Sequence, residues 1–301
     1  MIVTLFTQVL IMFLLAGVGY VMYYCGKISN EGSKSLGNIL ICVSLPCVII
    51  NGFQVEKTAE TMAGLLLSAV AAGIVLFLSI VIARLFFRKD AIASFAGAFS
   101  NPGFFGIPLI VAALSQGDVF YIAAFIAFLN MLQWTYGVAI MTNEKKSLSI
   151  KAVLKAPSII AIIIGMVLFL TGMRLPFVAS RCIEFIADLN TPLAMFSIGV
   201  YLAQTDVGQM LKRKSLYFIS VIRLVLIPLV AMGVLCILPE QYQEMKLAVL
   251  IAAACPVGSN VAVYAQLHNC DYTYAVQSVV ISTALSVVTL PVIIQLAMMV
   301  W

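Results

Sequence analysis

Ser100-Asn101-Pro102-Gly103-Phe104-Phe105-Gly106-Ile107-Pro108 sets two prolines and two glycines about ten residues into an otherwise apolar segment. Proline removes a backbone donor, and its ring clashes with the carbonyl four residues back, so a continuous helix is not expected to survive there. Inside a long apolar run the freed N–H and C=O groups must face protein, ions or a water-filled cavity. The spacing predicts an unwound stretch, with the Asn101 amide on freed backbone groups and Pro108 at the first position of a new half-helix.

The same disruption recurs in Cys255-Pro256-Val257-Gly258-Ser259-Asn260, where Pro256 and Gly258 break a second apolar run and Ser259 or Asn260 can cap the next helical piece. The surrounding chain explains why such breaks matter. Of 301 residues 63% are hydrophobic and only 10% charged, and the mean hydropathy is +1.12, which excludes a soluble globule. At about 20 apolar residues per span, the length accommodates roughly ten transmembrane helices and no appended soluble domain. The runs fall at about 4–25, 35–52, 62–86, 92–114, 119–141, 156–172, 182–203, 215–236, 246–267 and 273–299. They are continuous rather than alternating, hence helices and not barrel strands. The expected class is an all-α integral membrane protein of ten transmembrane helices.

The basic connection 142–155 divides the chain into a first set of five spans, 1–141, and a second, 156–301. The sets share features in order: Ser44-Leu45-Pro46 in span two against Asn190-Thr191-Pro192 in span seven, and the breaks of spans four and nine. Because five is odd, the second set enters the membrane inverted, so the expectation is two inverted five-helix repeats whose broken helices four and nine cross. Opposed half-helix N-termini at the midplane favour an anion.

Orientation follows from the cations. Lys27, Lys34, Arg84, Arg88, Lys89, Lys145, Lys146, Lys151, Lys155, Lys212, Arg213 and Lys214 flank the odd-numbered connections, against Lys57, Arg174, Arg181 and Lys246 on the other side. The positive-inside rule then puts both termini outside the cytoplasm of a plasma (inner) membrane protein. In a chain of this class the net charge of +5 encodes orientation, and no nucleic-acid partner is expected. The first apolar run lacks a basic leader and a cleavage site, so it is expected to stay as a span. Seven cysteines, odd in number and without CxxC spacing, together with one histidine, imply neither a disulfide framework nor a metal site, and no cofactor is expected.

Arg223 stands about nine residues, roughly 13 Å, into span eight, too deep for easy snorkelling. It must face a cavity, tie the carbonyl ends of broken helices together, or meet an anionic substrate. Asn130, Gln133 and Thr135 in span five, and Gln277, Ser278, Ser282 and Thr283 in span ten, are further polar positions beside the breaks. His268 at the end of span nine reads as an interfacial residue, as do Glu184 and Asp188 at the start of span seven. With one histidine and no deep carboxylate pair an intramembrane enzyme has no catalytic constellation. A channel would need a ring of selective groups around a continuous path. Neither broken helix contains Asp or Glu, which argues against cation exchange and leaves uniport, or symport of an anion with sodium or a proton, open.

Asn101 to Pro108, Leu132-Gln133-Trp134-Thr135-Tyr136-Gly137, Arg223 to Pro228, Pro256 to Asn260, and Ser282 to Pro291 together resemble the auxin efflux carrier family, particularly its bacterial members, over essentially the whole chain. The resemblance implies a carrier related in fold to bile acid:sodium symporters and sodium/proton antiporters. In such a carrier spans three to five and eight to ten form a transport domain that slides against a scaffold of spans one, two, six and seven. The scaffold also makes a homodimer contact. Family substrates include organic anions such as malonate or malate and, in plants, auxin. The expectation is a secondary transporter moving a small mono- or dicarboxylate by elevator-like alternating access, with another amphipathic anion in ion-coupled symport as the alternative and an ion channel below it. The candidate substrate-binding residues are Ser100, Asn101, Pro102, Gly103, Gly106, Pro108, Gln133, Arg223, Pro256, Gly258, Ser259 and Asn260.

Overall fold

A computed structural model describes residues 2–142 and 155–301. The connection expected at 142–155, with Lys145, Lys146 and Lys151, lies almost wholly outside the described residues. Regular structure among the described residues is helical. Seven helices are long and apolar enough to cross a membrane: Val3–Tyr24, Asn30–Gly52, Ala59–Phe86, Gly117–Thr142, Phe177–Ala203, Lys214–Leu235 and Tyr272–Val300. Pro157–Thr171 is a shorter apolar helix. Two further stretches are each in two pieces, Ala91–Ala98 with Pro102–Ala113 and Gln243–Ala254 with Asn260–Leu267.

Local chemistry starts these helices. Ser29, Asp90 and Asp271 each accept a backbone N–H of the first turn, satisfying donors that otherwise have no partner. Thr58 and Thr61 form a reciprocal capping box, at 3.1 and 2.9 Å. The second helix therefore starts at Asn30 rather than near 35, in a polar stretch that hydropathy alone assigns to a loop; the seventh starts at Phe177 rather than 182, directly after Pro176.

Proline shapes the interiors. π-helical turns occupy Leu40–Ser44, Pro102–Gly106 and Ile222–Leu226, and each is followed two residues later by a proline, Pro46, Pro108 or Pro228. The residue before the proline donates back five positions instead of four: Leu45 to Leu40, Ile107 to Pro102 and Ile227 to Ile222. The widened turn moves aside the carbonyl that the proline ring would strike. Pro46 and Pro108 are thus accommodated within continuous helical stretches. Pro108 does not open the half-helix, which restarts six residues earlier at Pro102 with Asn101 as its cap.

Val3–Tyr24 lies back to back with Asn190–Ala203, so close that a Cβ on Gly199 would run into the Ala16 carbonyl. Small residues at such contacts let helix backbones approach where lipid supplies no hydrophobic drive. Leu14, Leu66, Phe77, Ile163, Val167 and Val288 point outward and are exposed, as a lipid-facing surface requires.

Candidate functional site

The two breaks meet. Phe99, Ser100 and Asn101 cross Cys255 to Ser259 in a single antiparallel bridge between Ser100 and Val257. The Asn101 N–H donates to the Pro256 carbonyl at 3.0 Å, and the Gly258 N–H donates to the Phe99 carbonyl at 3.0 Å. Each break thus supplies a partner for groups that the other has freed, which is what a site without access to bulk water requires. Val257 N–H, facing away, donates to Ser282 Oγ at 3.1 Å from the last helix. Gly258 is needed at this approach: a Cβ there would lie 2.7 Å from the Ser100 carbonyl oxygen.

On one side of the crossing the helices end, and on the other they begin. Ala91–Ala98 and Gln243–Ala254 bring their C-terminal carbonyls together around Arg223, which is 1% exposed. Its guanidinium donates to Gly97 O at 3.2 Å, Ala98 O at 3.1 Å and Ala253 O. Each helix C-terminus carries roughly half a negative charge, so one guanidinium balances the pair. Of the roles open to Arg223, the structure shows the tie between helix ends. It lies behind the crossing, does not line the cavity on the N-terminal side, and is not placed for direct contact with a ligand there.

The N-terminal ends hold a different arrangement. Asn101 Oδ1 accepts the Phe104 N–H at 3.3 Å, leaving its Nδ2 buried and unpartnered among the described residues. Asn260 Nδ2 donates to Gln133 Oε1 at 2.8 Å, and Gln133 Nε2, together with Ser100 Oγ, has no partner among the described residues. Gln133 is turned there by a fourth π-helical turn, Gln133–Gly137. Ser259 occupies the cap position before Asn260 without making a side-chain cap. Asn190 reaches across from its own helix to donate to Gly103 O at 3.1 Å.

A cavity of about 750 Å³ lies beside this N-terminal side, within the range of small-molecule sites of roughly 300–1,000 Å³. Ser259, Asn260 and Phe104 line it, with apolar walls from Leu40, Ile41, Ala194, Ile198 and Val263. Its rim is a hydrogen-bond chain: Tyr23 Oη and Gln204 Nε2 both donate to Asn30 Oδ1, at 2.8 and 3.0 Å, and Tyr272 Oη donates to Gln204 Oε1 at 3.4 Å. No Asp or Glu among the described residues lines the cavity.

Of the residues expected to bind substrate, Ser259 and Asn260 line this cavity. Ser100, Asn101, Pro102, Gly103, Gly106, Gln133, Pro256 and Gly258 are buried in and behind the crossing. Pro108 lies one turn past it, inside Ile107–Ala113. Asn190, Tyr201 and Lys34 belong to the site or its approach and were not among the expected residues; Asn190 stands two residues before Pro192, a matched feature of the two halves that could have marked it. His268 ends its helix with its ring stacked on Tyr264, centroids 6.4 Å apart.

Known proteins match along the same length. A family model described as "Membrane transport protein" matches residues 4–294. A protein of Rhizobium meliloti (strain 1021) named "Putative malonate transporter" is 28% identical over 297 residues, covering 91% of this chain and 90% of its own. An "Uncharacterized transporter" of Methanothermobacter thermautotrophicus is 24% identical over 292 residues, with 94% and 95% covered. Another, from Methanocaldococcus jannaschii, is 25% identical over 213 residues, with 65% and 68% covered. With apolar helices throughout and a family match that spans nearly all of it, the chain is a multi-pass membrane protein and belongs to the membrane transport protein family, the auxin efflux carrier-like group.

Proposed function

We propose that this protein is a secondary transporter of a small organic anion, a mono- or dicarboxylate, working by elevator-like alternating access. The observation that carries the reading is the charge balance at the crossing. Arg223 neutralises the two helix C-termini, while the N-terminal ends at Pro102 and Asn260 retain their positive dipole ends without a carboxylate beside them. A helix N-terminus beside a cavity, backed by the buried unpartnered amides of Asn101 and Gln133, is suited to a carboxylate. The name of the Rhizobium relative is consistent with a dicarboxylate.

In this reading the chain makes ten membrane segments in two inverted repeats, counting each broken pair as one. Segments three to five and eight to ten carry the crossing and slide against a scaffold of one, two, six and seven, which also makes the homodimer contact. The cavity opens beside Asn30, Gln204 and Tyr272, at connections that the cation count assigns to the cytoplasm, which makes this an inward-facing state. No carboxylate stands at the crossing among the described residues, which favours an anion carrier over a cation exchanger.

Purified protein in liposomes is expected to take up labelled malonate saturably and to accelerate its exchange against unlabelled malonate on the far side. Uptake that neither saturates nor shows countertransport would indicate a channel. Asn101→Ala removes an unpartnered donor and Asn260→Ala removes the group that holds Gln133 in place; each is expected to cut uptake about tenfold, the effect of losing about 1.5 kcal/mol of polar contact. Unchanged kinetics in both, at equal abundance, would make the crossing a structural kink. For topology, single cysteines at Lys146 and Lys212 are expected to resist an impermeant thiol reagent in intact cells and to react once the membrane is opened. Labelling in intact cells would invert the orientation.

A further inference from the structure

Among the described residues one cation lines the cavity, and it is not at the crossing. Lys34 belongs to the helix that starts at Asn30, and Lys34, Asn38 and Ile41 share the face turned to the cavity. Ile41 belongs to the inner wall; Lys34 lies seven residues before it, about 10 Å nearer the mouth. Helical side chains tilt toward the N-terminus of their own helix, here outward along the wall. An anion held at Asn260, at the inner end of the cavity, lies deeper than Lys34, which then acts on it across space.

The neighbouring charges leave it to act. Asp271, beside the rim, is held by Arg213 at 3.4 Å. Asp206 is turned to its own helix cap, accepting the Gln209 N–H at 3.1 Å, and does not line the cavity. Glu31, on the same helix, does not line the cavity. The walls between Lys34 and Asn260 are largely apolar, and low-dielectric walls concentrate the field of a charge along a cleft.

Resting on the reading of the cavity as an anion site, we infer that Lys34 is a charge-selecting residue at the cytoplasmic mouth, favouring dianions over monoanions without touching either. Its effect scales with ligand charge. Across about 10 Å of water, one unit charge changes affinity about twofold, and a dianion about fourfold. Salt suppresses both, because the screening length falls from about 10 Å at 0.1 M to a few ångströms near 0.5 M.

The test is equilibrium binding of malonate, and of its monomethyl ester as the singly charged probe, to the purified full chain at 20 mM and 500 mM salt. Lys34→Gln is expected to weaken malonate binding about fourfold or more and the ester about twofold at low salt, with both differences lost at high salt. Lys34→Arg should bind like the wild type. Lys34 is exposed, so an unchanged melting temperature is expected and is measured alongside. Equal weakening for the two probes, a difference that survives 500 mM salt, or no difference at all overturns the inference while leaving the anion site intact. A wild-type protein that binds neither probe overturns the anion reading itself, and this inference with it.

Discussion

Arg223→Met is expected to abolish transport and to produce a larger fall in melting temperature than any of the other substitutions. The guanidinium donates to the carbonyls of Gly97, Ala98 and Ala253, the C-terminal ends of two helices that it alone neutralises among the described residues. Methionine matches much of the volume but none of the charge, leaving buried carbonyls of like polarity facing each other. Removing one partner from a buried charged contact costs about 3–5 kcal/mol. Arg223→Lys keeps the charge but not the planar fork that reaches two helices at once, so it should recover only part of the stability. The readouts are melting temperature without substrate and malonate binding on the same samples. Near-wild-type stability in both variants would show that the tie between helix ends is dispensable.

Gly258→Ala is the second substitution expected to silence the protein, through one methyl group. Its Cβ would lie 2.7 Å from the Ser100 carbonyl oxygen, closer than real contacts allow, and both partners are backbone that cannot swing aside. The bridge must open, freeing the Gly258 N–H from Phe99 and loosening the Asn101 N–H from Pro256. Each buried group so orphaned costs about 1–3 kcal/mol. Gly233→Ala provides the control: it lies within an apolar helix where nothing stands within 4 Å of its Cβ, and alanine suits a helix better than glycine by up to about 1 kcal/mol. Loss of uptake is expected for Gly258→Ala and normal uptake for Gly233→Ala. Equal activity in the two would mean that the crossing tolerates separation.

Both expectations rest on groups whose roles were only partly legible in the order of residues. That the chain breaks near Pro102 and Pro256 follows from the missing N–H of proline, a local property. The point at which the helix resumes did not follow: Pro108 looked like the better start, yet the π-helical turn at Pro102–Gly106 absorbs it, because a helix can widen by one residue more cheaply than it can stop twice. For Arg223 the sequence showed a charge too deep to reach water. Which of three partners it takes depended on where two other helices end.

Lys34 shows the same limit from the other direction. In the sequence it is one cation among those that orient the chain; in the fold it stands on the cavity face because Ser29 caps a helix that hydropathy would begin later.

The sequence by itself determined everything set by neighbours along the chain and by the solvent: helices across lipid, their approximate ends, and two disrupted runs with no Asp or Glu at the breaks. Lipid offers no hydrogen bonds, so a run of apolar residues has few alternatives to helix, and proline disrupts it wherever it falls. Only the tertiary structure decided that Ser100 and Val257, far apart in the chain, share a bridge, that Gln133 holds Asn260, and that one arginine serves two helix ends. Those pairings join groups with no periodic relation in sequence. They are chosen because buried N–H, C=O and charge must be satisfied collectively, by whichever helices the packing brings within about 3 Å.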